Sequence, residues 1–587
     1  MADKQFITID GIAVEMEKGL NVMEHAKKAG INIPAFCYTP ELSIYGACRM
    51  CLVEIVDKDR KTGLPTGRTS LDSSCSLLPK PGMEILTNTP KLRMYRKNIL
   101  ELLLANHCRD CTTCQNSTDC KLQEFAVRYN VTGVRYPQHN PEPKLDESSW
   151  CITKDTAKCI SCGCCIRMCN EIQHVGAIDF AHRGSEMEVS CVGGLPIGDS
   201  VCVGCGQCAA VCPTGALIVK NNTEKLWKLI ADKSKKISVQ IAPAVRVGVG
   251  NAFGIPPEQN TFGRLVAALR RIGFDEVYDT NVAADMTIIQ EAAELLERLK
   301  TKHDWPLFTS CCPAWIQYVE KHHPDVMPNV STTKSPMQIF AGTYKKEGVK
   351  DFVRGAVMPC TAKKFEGQRC DFKSGEKQDV EFVLTTQEVV RMIKEAGIDY
   401  TTIEPEAVEG KWGNTTGAAV IFGVTGGVME AALRYALSVL KLDTPENYLA
   451  LAESGIRGLP KPDAKAGALV DGVKTADIKL GDITLKVAVV SGLANADVII
   501  ERIKAGEHFD FVEVMACPGG CIGGGGQPPA SWDVKEERAK GLYLADKEYP
   551  LNSVEKNPVM KEWLDLMGNE HNQHEYWHIH YEGHGHH

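Results

Sequence analysis

Cys159, Cys162, Cys165 and Cys169 follow a C-x2-C-x2-C-x3-C run, and the run returns as Cys202, Cys205, Cys208 and Cys212, followed by Pro213. A doubled run of this kind holds two 4Fe–4S clusters, the fourth cysteine of each run ligating the other cluster. Cys159, Cys162, Cys165 and Cys212 are therefore grouped on one cubane, and Cys202, Cys205, Cys208 and Cys169 on the other. Short spacings let one tight loop aim three thiolates at three irons, and the distant fourth closes the site. A zinc ribbon uses two cysteine pairs and has no need of eight such thiols. Nearer the start, Cys37-x10-Cys48-x2-Cys51-x23-Cys75 is a long-spaced variant of a 2Fe–2S pattern. Its competing reading is a structural zinc site. Between them, His107-x3-Cys111-x2-Cys114-x5-Cys120 reads as a 4Fe–4S site with one imidazole ligand. A neutral imidazole in place of a thiolate should raise that cluster's potential. Cys108 adjoins His107, but using it instead would break the spacing.

Three more cysteine segments lie in the second half. They are Thr309-Ser310-Cys311-Cys312-Pro313-Ala314-Trp315, Met358-Pro359-Cys360-Thr361-Ala362-Lys363-Lys364-Phe365-Glu366, and Met515-Ala516-Cys517-Pro518-Gly519-Gly520-Cys521 with Gly523 to Gly526 and Gln527-Pro528 after it. By themselves, four thiolates suggest one more cubane, with one cysteine left over. Glu291, Glu294 and Arg298 fall at i, i+3 and i+7, a single stripe if the segment is helical. Alone, such a stripe is ordinarily a solvated face.

Each of the three segments follows a strand-like run, and converging strand ends are where α/β proteins place sites. From about residue 226, runs such as ISVQIAP, FVRGAVMP and FDFVEVMA alternate with amphipathic helices such as DMTIIQEAAELLERLK. That alternation predicts α/β layers, and the glycines after Cys517 would let backbone approach a bulky cofactor. The 587 residues are too many for one core. The chain is expected to be multidomain, α+β and α/β. Residues 1–80 form a plant-type, β-grasp-like 2Fe–2S ferredoxin unit, 81–125 the 4Fe–4S unit with one histidine and three cysteine ligands, and 126–225 the two-cluster ferredoxin unit. Residues 226–545 form a large two-lobed α/β catalytic domain, and 546–587 an extension ending in a histidine-rich tail.

The net charge of −8 gives no reason to expect nucleic-acid binding. The start, MADKQFITID, has no apolar signal stretch or twin-arginine pair, so the 25 cysteines read as reduced thiolates in a cytoplasm rather than as disulfides. The most apolar window, about 417–440, is broken by Glu430 and Arg434, which argues against membrane insertion.

In residue type, order and distance, the three late segments resemble the signature motifs of FeFe (iron-only) hydrogenases. With the N-terminal motifs, the resemblance covers nearly the whole chain, in the arrangement of the clostridial-type enzymes and the catalytic subunits of NAD(P)-linked hydrogenases. It implies reversible interconversion of H2 with protons and electrons at an H-cluster. That cofactor is a 4Fe–4S cubane bridged to a diiron unit with carbonyl, cyanide and dithiolate ligands. Three other 4Fe–4S clusters and one 2Fe–2S cluster would accompany it. By position, Cys312, Cys360, Cys517 and Cys521 would hold the cubane, with Cys521 bridging to the diiron unit. Cys311 would be a proton-relay thiol and Lys363 the donor to a cyanide. Met358 and Met515 would pack near the diiron unit, and Pro243 and Phe422 just outside it. Beside these motifs the stripe becomes a proton route: Glu291, Ser331, Glu294, then solvent near Arg298. Two positions depart from some relatives. Ala244 replaces a serine that contacts a cyanide, and Met337 replaces a glutamine.

The resemblance also implies proteins that assemble the diiron unit. The electron partner is ferredoxin or NAD(P)-linked diaphorase subunits. No G-x-G-x-x-G follows a strand, which argues against a nicotinamide site in the chain itself. Two other readings are an iron–sulfur electron-transfer subunit and an H2-sensing or iron–sulfur-assembling relative. The first would not need the lysine and twin-cysteine motifs, and the second often loses one of them. Cys108, Cys151, Cys164, Cys191 and Cys370 fit no ligand position and are expected to be buried small hydrophobes. The tail histidines, His571, His574, His578, His580, His584, His586 and His587, are expected to lie outside the core. A zinc or nickel site at a subunit contact is the competing reading.

Overall fold

The computed structural model describes residues 4–59, 61–137, 144–301, 305–348, 352–374, 376–463, 465–551 and 553–581. The first unit is a five-stranded sheet of β1 (Phe6–Ile9), β2 (Ile12–Glu15), β3 (Leu52–Lys58), β4 (Pro65–Ser73) and β5 (Glu84–Leu86). Its order is β2-β1-β5-β3-β4, with β1 and β5 parallel. Ile7, Ile9, Val53 and Ile85 fill its core, the alternation that a one-faced sheet demands. Its last strand lies beyond residue 80, where the sequence places the end of the domain. Thr89 then caps the helix Pro90–Ala105, which opens on proline. The loop bearing Cys111 and Cys114 follows, and Cys120 is the N-cap of the helix Lys121–Arg128.

The doubled cysteine run folds as a structural repeat. Its short helices, Cys164–Arg167 and Gln207–Ala210, are entered through Gly163 and Gly206, at φ 70° and 69°. Glycine suits both places because a left-handed turn must bring the loop round to the next cysteine.

Two four-stranded sheets build the large domain. One holds β6 (Lys236–Ile241), β7 (Glu276–Asp279), β9 (Phe352–Met358) and β10 (Phe382–Thr385) in the order β7-β6-β9-β10, all parallel. The other holds β8 (Leu307–Phe308), β11 (Val473–Leu480), β12 (Ile483–Ser491) and β13 (Phe511–Met515) in the order β8-β13-β12-β11, with only β11 antiparallel to its neighbour. Helix α1 (Asn281–Thr301) packs against α2 (Pro336–Lys346) and the helix Gly427–Val439.

No described helix is long and apolar enough to cross a membrane. Glu430 is 1% exposed and pairs with Arg434 and Arg457, and Arg434 also pairs with Asp546. The charges inside the most apolar window are thus matched within the fold.

The expectation for the tail is corrected. Helix α3 (Glu570–Trp577) lies on α2, and Trp577 is fully buried with its indole N–H donated to Thr343 Oγ1 at 2.9 Å. Polar composition hid two aromatic anchors, Trp577 and Tyr581. His571, His574 and His580 are exposed, His578 is half-buried, and His584, His586 and His587 lie outside the described residues. The spare cysteines divide: Cys151, Cys164 and Cys191 are buried, Cys108 is half-buried, and Cys370 is exposed at the start of a surface 3-10 turn.

Candidate active site and cluster-binding sites

The N-terminal thiols stand in two close pairs. Cys37 Sγ lies 3.4 Å from Cys48 Sγ, and Cys51 Sγ lies 3.4 Å from Cys75 Sγ. Two pairs suit two irons with two thiolates each. Among the described residues, no group of three or more His, Cys, Asp or Glu side chains closes round a single metal ion. Arg96 grips this loop, donating to the carbonyls of Met50 and Leu52 on either side of Cys51 at 3.1 and 2.8 Å.

His107 accepts the Arg109 backbone N–H at Nδ1, 3.1 Å away, while its buried Nε2 has no partner. Burial first, and then the charge of Lys158, lowers its pKa and favours the neutral, ligating imidazole. The orphaned Nε2 fits an iron ligand.

Two cavities divide the doubled run. One is lined by Cys159, Cys162, Cys165 and Cys212, the other by Cys169, Cys202, Cys205 and Cys208. Each takes three cysteines from one run and one from the other. The first adjoins the N-terminal pairs, since Cys37, Cys162 and Cys164 share one apolar cluster. The second adjoins the large domain. Gln207 Nε2 donates to Gly523 O and Thr361 Oγ1 to Gly204 O, at 2.9 and 2.7 Å. A Cβ on Gly525 would meet Cys205 O at 2.6 Å. That glycine therefore permits backbone-on-backbone contact between the cysteine motif and the ferredoxin-like unit.

In the large domain, every cysteine segment leaves the C-terminal end of a strand. Cys311 and Cys312 follow β8, Cys360 follows β9, and Cys517 and Cys521 follow β13. Cys360 thus comes from one sheet and the others from its partner. Burial, and then the charges of Cys360, Cys312 and Cys521, push the Cys517 thiol well above its usual range. Burial pushes Cys360 up to about 12. Four thiols that oppose one another's ionisation need cationic metal to ionise together. Lys363 favours the thiolates of Cys312, Cys360 and Cys521. Its ammonium stands 2.5 Å from Glu366 Oε2 at angles that form no hydrogen bond. This donor set, and an ammonium ion-paired with Glu366 but without a hydrogen-bond acceptor, fit an anionic iron cofactor.

Cys311, Met515, Phe422 and part of Cys521 share one apolar cluster. Ala244 packs with Cys521 in another, and Met337 with Met358 in a third. Pro243 O accepts Arg246 Nε at 3.0 Å.

Behind Cys311 lies Glu291, fully buried on α1. Oε1 accepts Ser310 N–H at 3.2 Å and Oε2 has no partner. Burial pushes its pKa up to about 8. Burial first, then Glu291's charge, pushes the Cys311 thiol well above its usual range. Ser331 donates to Glu294 Oε2 at 2.7 Å, and Arg298 donates to Glu294 Oε1 at 2.7 Å. Among the described residues no hydrogen bond joins Ser331 to Glu291. The Ser310 hydroxyl lies 3.4 Å from Glu291 Oε1 and donates to Thr333 O, and Thr333 in turn donates its N–H to Ser331 Oγ at 3.1 Å.

Sequence reasoning gave Ser310 no role, although it precedes the twin cysteines directly. It also passed over Glu513, buried on β13 and accepting Gly426 and Met429 N–H at 2.6 and 2.7 Å. Gln338, beside Met337, is buried with neither amide atom paired. No periodicity marks either residue.

Residues 235–525 match the family described as the iron-only hydrogenase large subunit, C-terminal domain. Residues 5–90 match a 2Fe–2S cluster-binding domain, 96–135 the NADH-ubiquinone oxidoreductase-G iron–sulfur binding region, and 158–216 a 4Fe–4S dicluster domain. The chain is 38% identical to the NADP-reducing hydrogenase subunit HndD of Solidesulfovibrio fructosivorans, covering 98% of both chains. It is 32% identical to iron hydrogenase 1 of Clostridium pasteurianum, covering 94% of this chain and 95% of that one. Among solved structures, apo HydA1, an [FeFe]-hydrogenase variant from Chlamydomonas reinhardtii, aligns with a TM-score of 0.51 at 34% identity. That alignment covers 62% of this chain and 99% of the other.

Proposed function

Because the chain belongs to the iron-only hydrogenase large-subunit family, we propose that it interconverts H2 with protons and electrons at an H-cluster held by Cys312, Cys360, Cys517 and Cys521. The observation that carries this reading is a cluster of four thiols drawn from both sheets, Cys360 and Cys517 buried and Cys312 and Cys521 half-buried, with a fifth, Cys311, backed by the buried Glu291. When bound, the cofactor supplies the open metal site where H2 is split or formed and the first store for its electrons.

The chain's own groups do the rest. Lys363 would hold the cofactor through its ammonium, and the buried Met358, Met515 and Phe422 would exclude water beside it. Cys311 would hold the proton beside the cofactor site and pass it to or take it from Glu291, whose Oε2 has no other partner. A carboxyl pushed up to about 8 both holds and releases a proton near neutral pH. Ser310 adjoins Glu291, Ser331 donates to Glu294, and the Arg298 guanidinium holds that outer carboxyl in place at the exit.

Electron relay falls to the four other ligand sets. The set around Cys205 adjoins the active site and the set around Cys162 follows it. Beyond them lie the four N-terminal cysteines and the His107 set with Cys111, Cys114 and Cys120.

The acceptor is an NAD(P)-linked partner subunit. Support comes from the full-length likeness to a subunit of an NADP-reducing hydrogenase and from the lack of a dinucleotide fingerprint in this chain. Ferredoxin is the alternative acceptor. The diiron unit comes from maturation proteins, and the setting is cytoplasmic.

Chain produced with diiron maturation proteins should carry about 20 irons and show infrared carbonyl and cyanide bands. It should evolve H2 from a reduced viologen, and reduce NADP+ with H2 only when partner subunits are added. Full iron content with neither bands nor turnover would defeat the reading.

A further inference from the structure

The C-terminal strap runs directly over the segment that carries Ser331. Lys334 N–H donates to Trp577 O and Ile579 N–H to Thr332 O, both at 2.7 Å, and Thr333 pairs with His578 as an antiparallel bridge. The His578 imidazole extends this contact to α1. Its Nδ1 lies 3.0 Å from Thr332 Oγ1 and its Nε2 3.0 Å from Gln290 Oε1. An amide oxygen only accepts, so Nε2 carries the hydrogen and Nδ1 accepts from the threonine hydroxyl. Thr332 donates its own N–H to Glu294 Oε2 at 3.1 Å, and Gln290 immediately precedes Glu291. One ring thus ties the loop of Ser331 and Thr332 to the helix of Glu291 and Glu294.

We propose that His578 is a positioning residue for the proton relay, clamping the Ser331–Thr332 loop to α1 so that both carboxyls stay in register. It touches neither the cofactor set nor a relay carboxyl. The ring is half-buried, and burial lowers its pKa to about 4, so it keeps its neutral form across the working range. The proposal rests on the hydrogenase reading above. Relay geometry tolerates little slack, since a displacement of about 1 Å can cost about a hundredfold in rate.

The test uses the full, matured chain and three variants. His578→Ala should slow H2 evolution about tenfold and raise its solvent deuterium isotope effect. Amide exchange across residues 331–334 should quicken, while iron content and the carbonyl and cyanide bands stay unchanged. Thr332→Val, which removes the same bond from the other end, should do likewise, and His578→Gln should restore much of the rate. If both disruptive variants kept the wild-type rate and isotope effect, the clamp would be disproved. A loss of rate that only followed a loss of cofactor bands would also disprove it. Should His578→Ala fail to fold, Thr332→Val carries the same outcomes. Wild-type chain without turnover would defeat the hydrogenase reading instead, and amide exchange would still report the clamp.

Discussion

Cys312 is extended, at φ −95° and ψ 105°, so its side chain and that of Cys311 leave in different directions. Cys312 packs with Cys360 in one apolar cluster, and Cys311 with Met515 and Phe422 in another. In the proposed reading, one backbone would thereby serve the cubane and the proton route at once. Burial holds the Cys311 thiol above its usual range, yet a thiol, at about 8.5 unperturbed, is intrinsically far more acidic than a serine hydroxyl and remains the better proton carrier in the same pocket. Cys311→Ser should therefore keep the infrared bands yet slow turnover by roughly 10²–10⁴-fold. Cys311→Asp should retain part of it, since burial raises a carboxyl towards neutral. Cys312→Ser should lose the cubane itself. Wild-type rates in Cys311→Ser, or bands kept by Cys312→Ser and lost by Cys311→Ser, would reverse the two roles. That these cysteines gather at one place was legible because cysteine spacing is a local property. Ser310 was not, because its hydroxyl acquires meaning only when Thr333 is folded beside it.

At the scale of the element, α1 carries Glu291 inward and Arg298 to the rim, so one helix spans from dry interior to surface. The stripe was visible in the sequence, but its burial was not, since a polar stripe on an isolated helix reads as its wet face. Burial has a consequence for stability. The folded-state pKa of Glu291, about 8, lies above its ordinary 4.5. The protonated carboxyl therefore contributes stability in full below the ordinary value and loses it as pH rises through about 8. Glu291→Gln cannot ionise. Its melting temperature minus that of the wild type should widen from about pH 5 to about pH 9. A flat difference would place that carboxyl in contact with water. The terminal helix α3 gives the opposite lesson. Its composition is that of a solvated tail, and its place is set by Trp577 and Tyr581 meeting partners hundreds of residues away, which no local pattern reports.

Across the whole molecule, the α/β layering and the cysteine-bearing strand ends were readable from alternation and spacing. The end of the first domain was not, because β5 returns to a sheet begun some 75 residues earlier and closes it. Nor was the docking of Gly525 on Cys205, which depends on two units meeting. The two cavities of the doubled run carry a consequence for durability. Cys169 belongs by sequence to the first loop and by position to the second cavity, and Cys212 does the reverse. Filled, the pair resembles two interlocked links, each closed by a segment anchored in the other. An oxidant that breaks one link releases the chain holding the last ligand of its neighbour. Iron from this region should therefore leave in steps of about eight rather than about four. Cys212→Ser, aimed at one cavity, should empty both, as native mass spectrometry of the purified chain would register. A variant that kept a full second cluster would show the links to be separable.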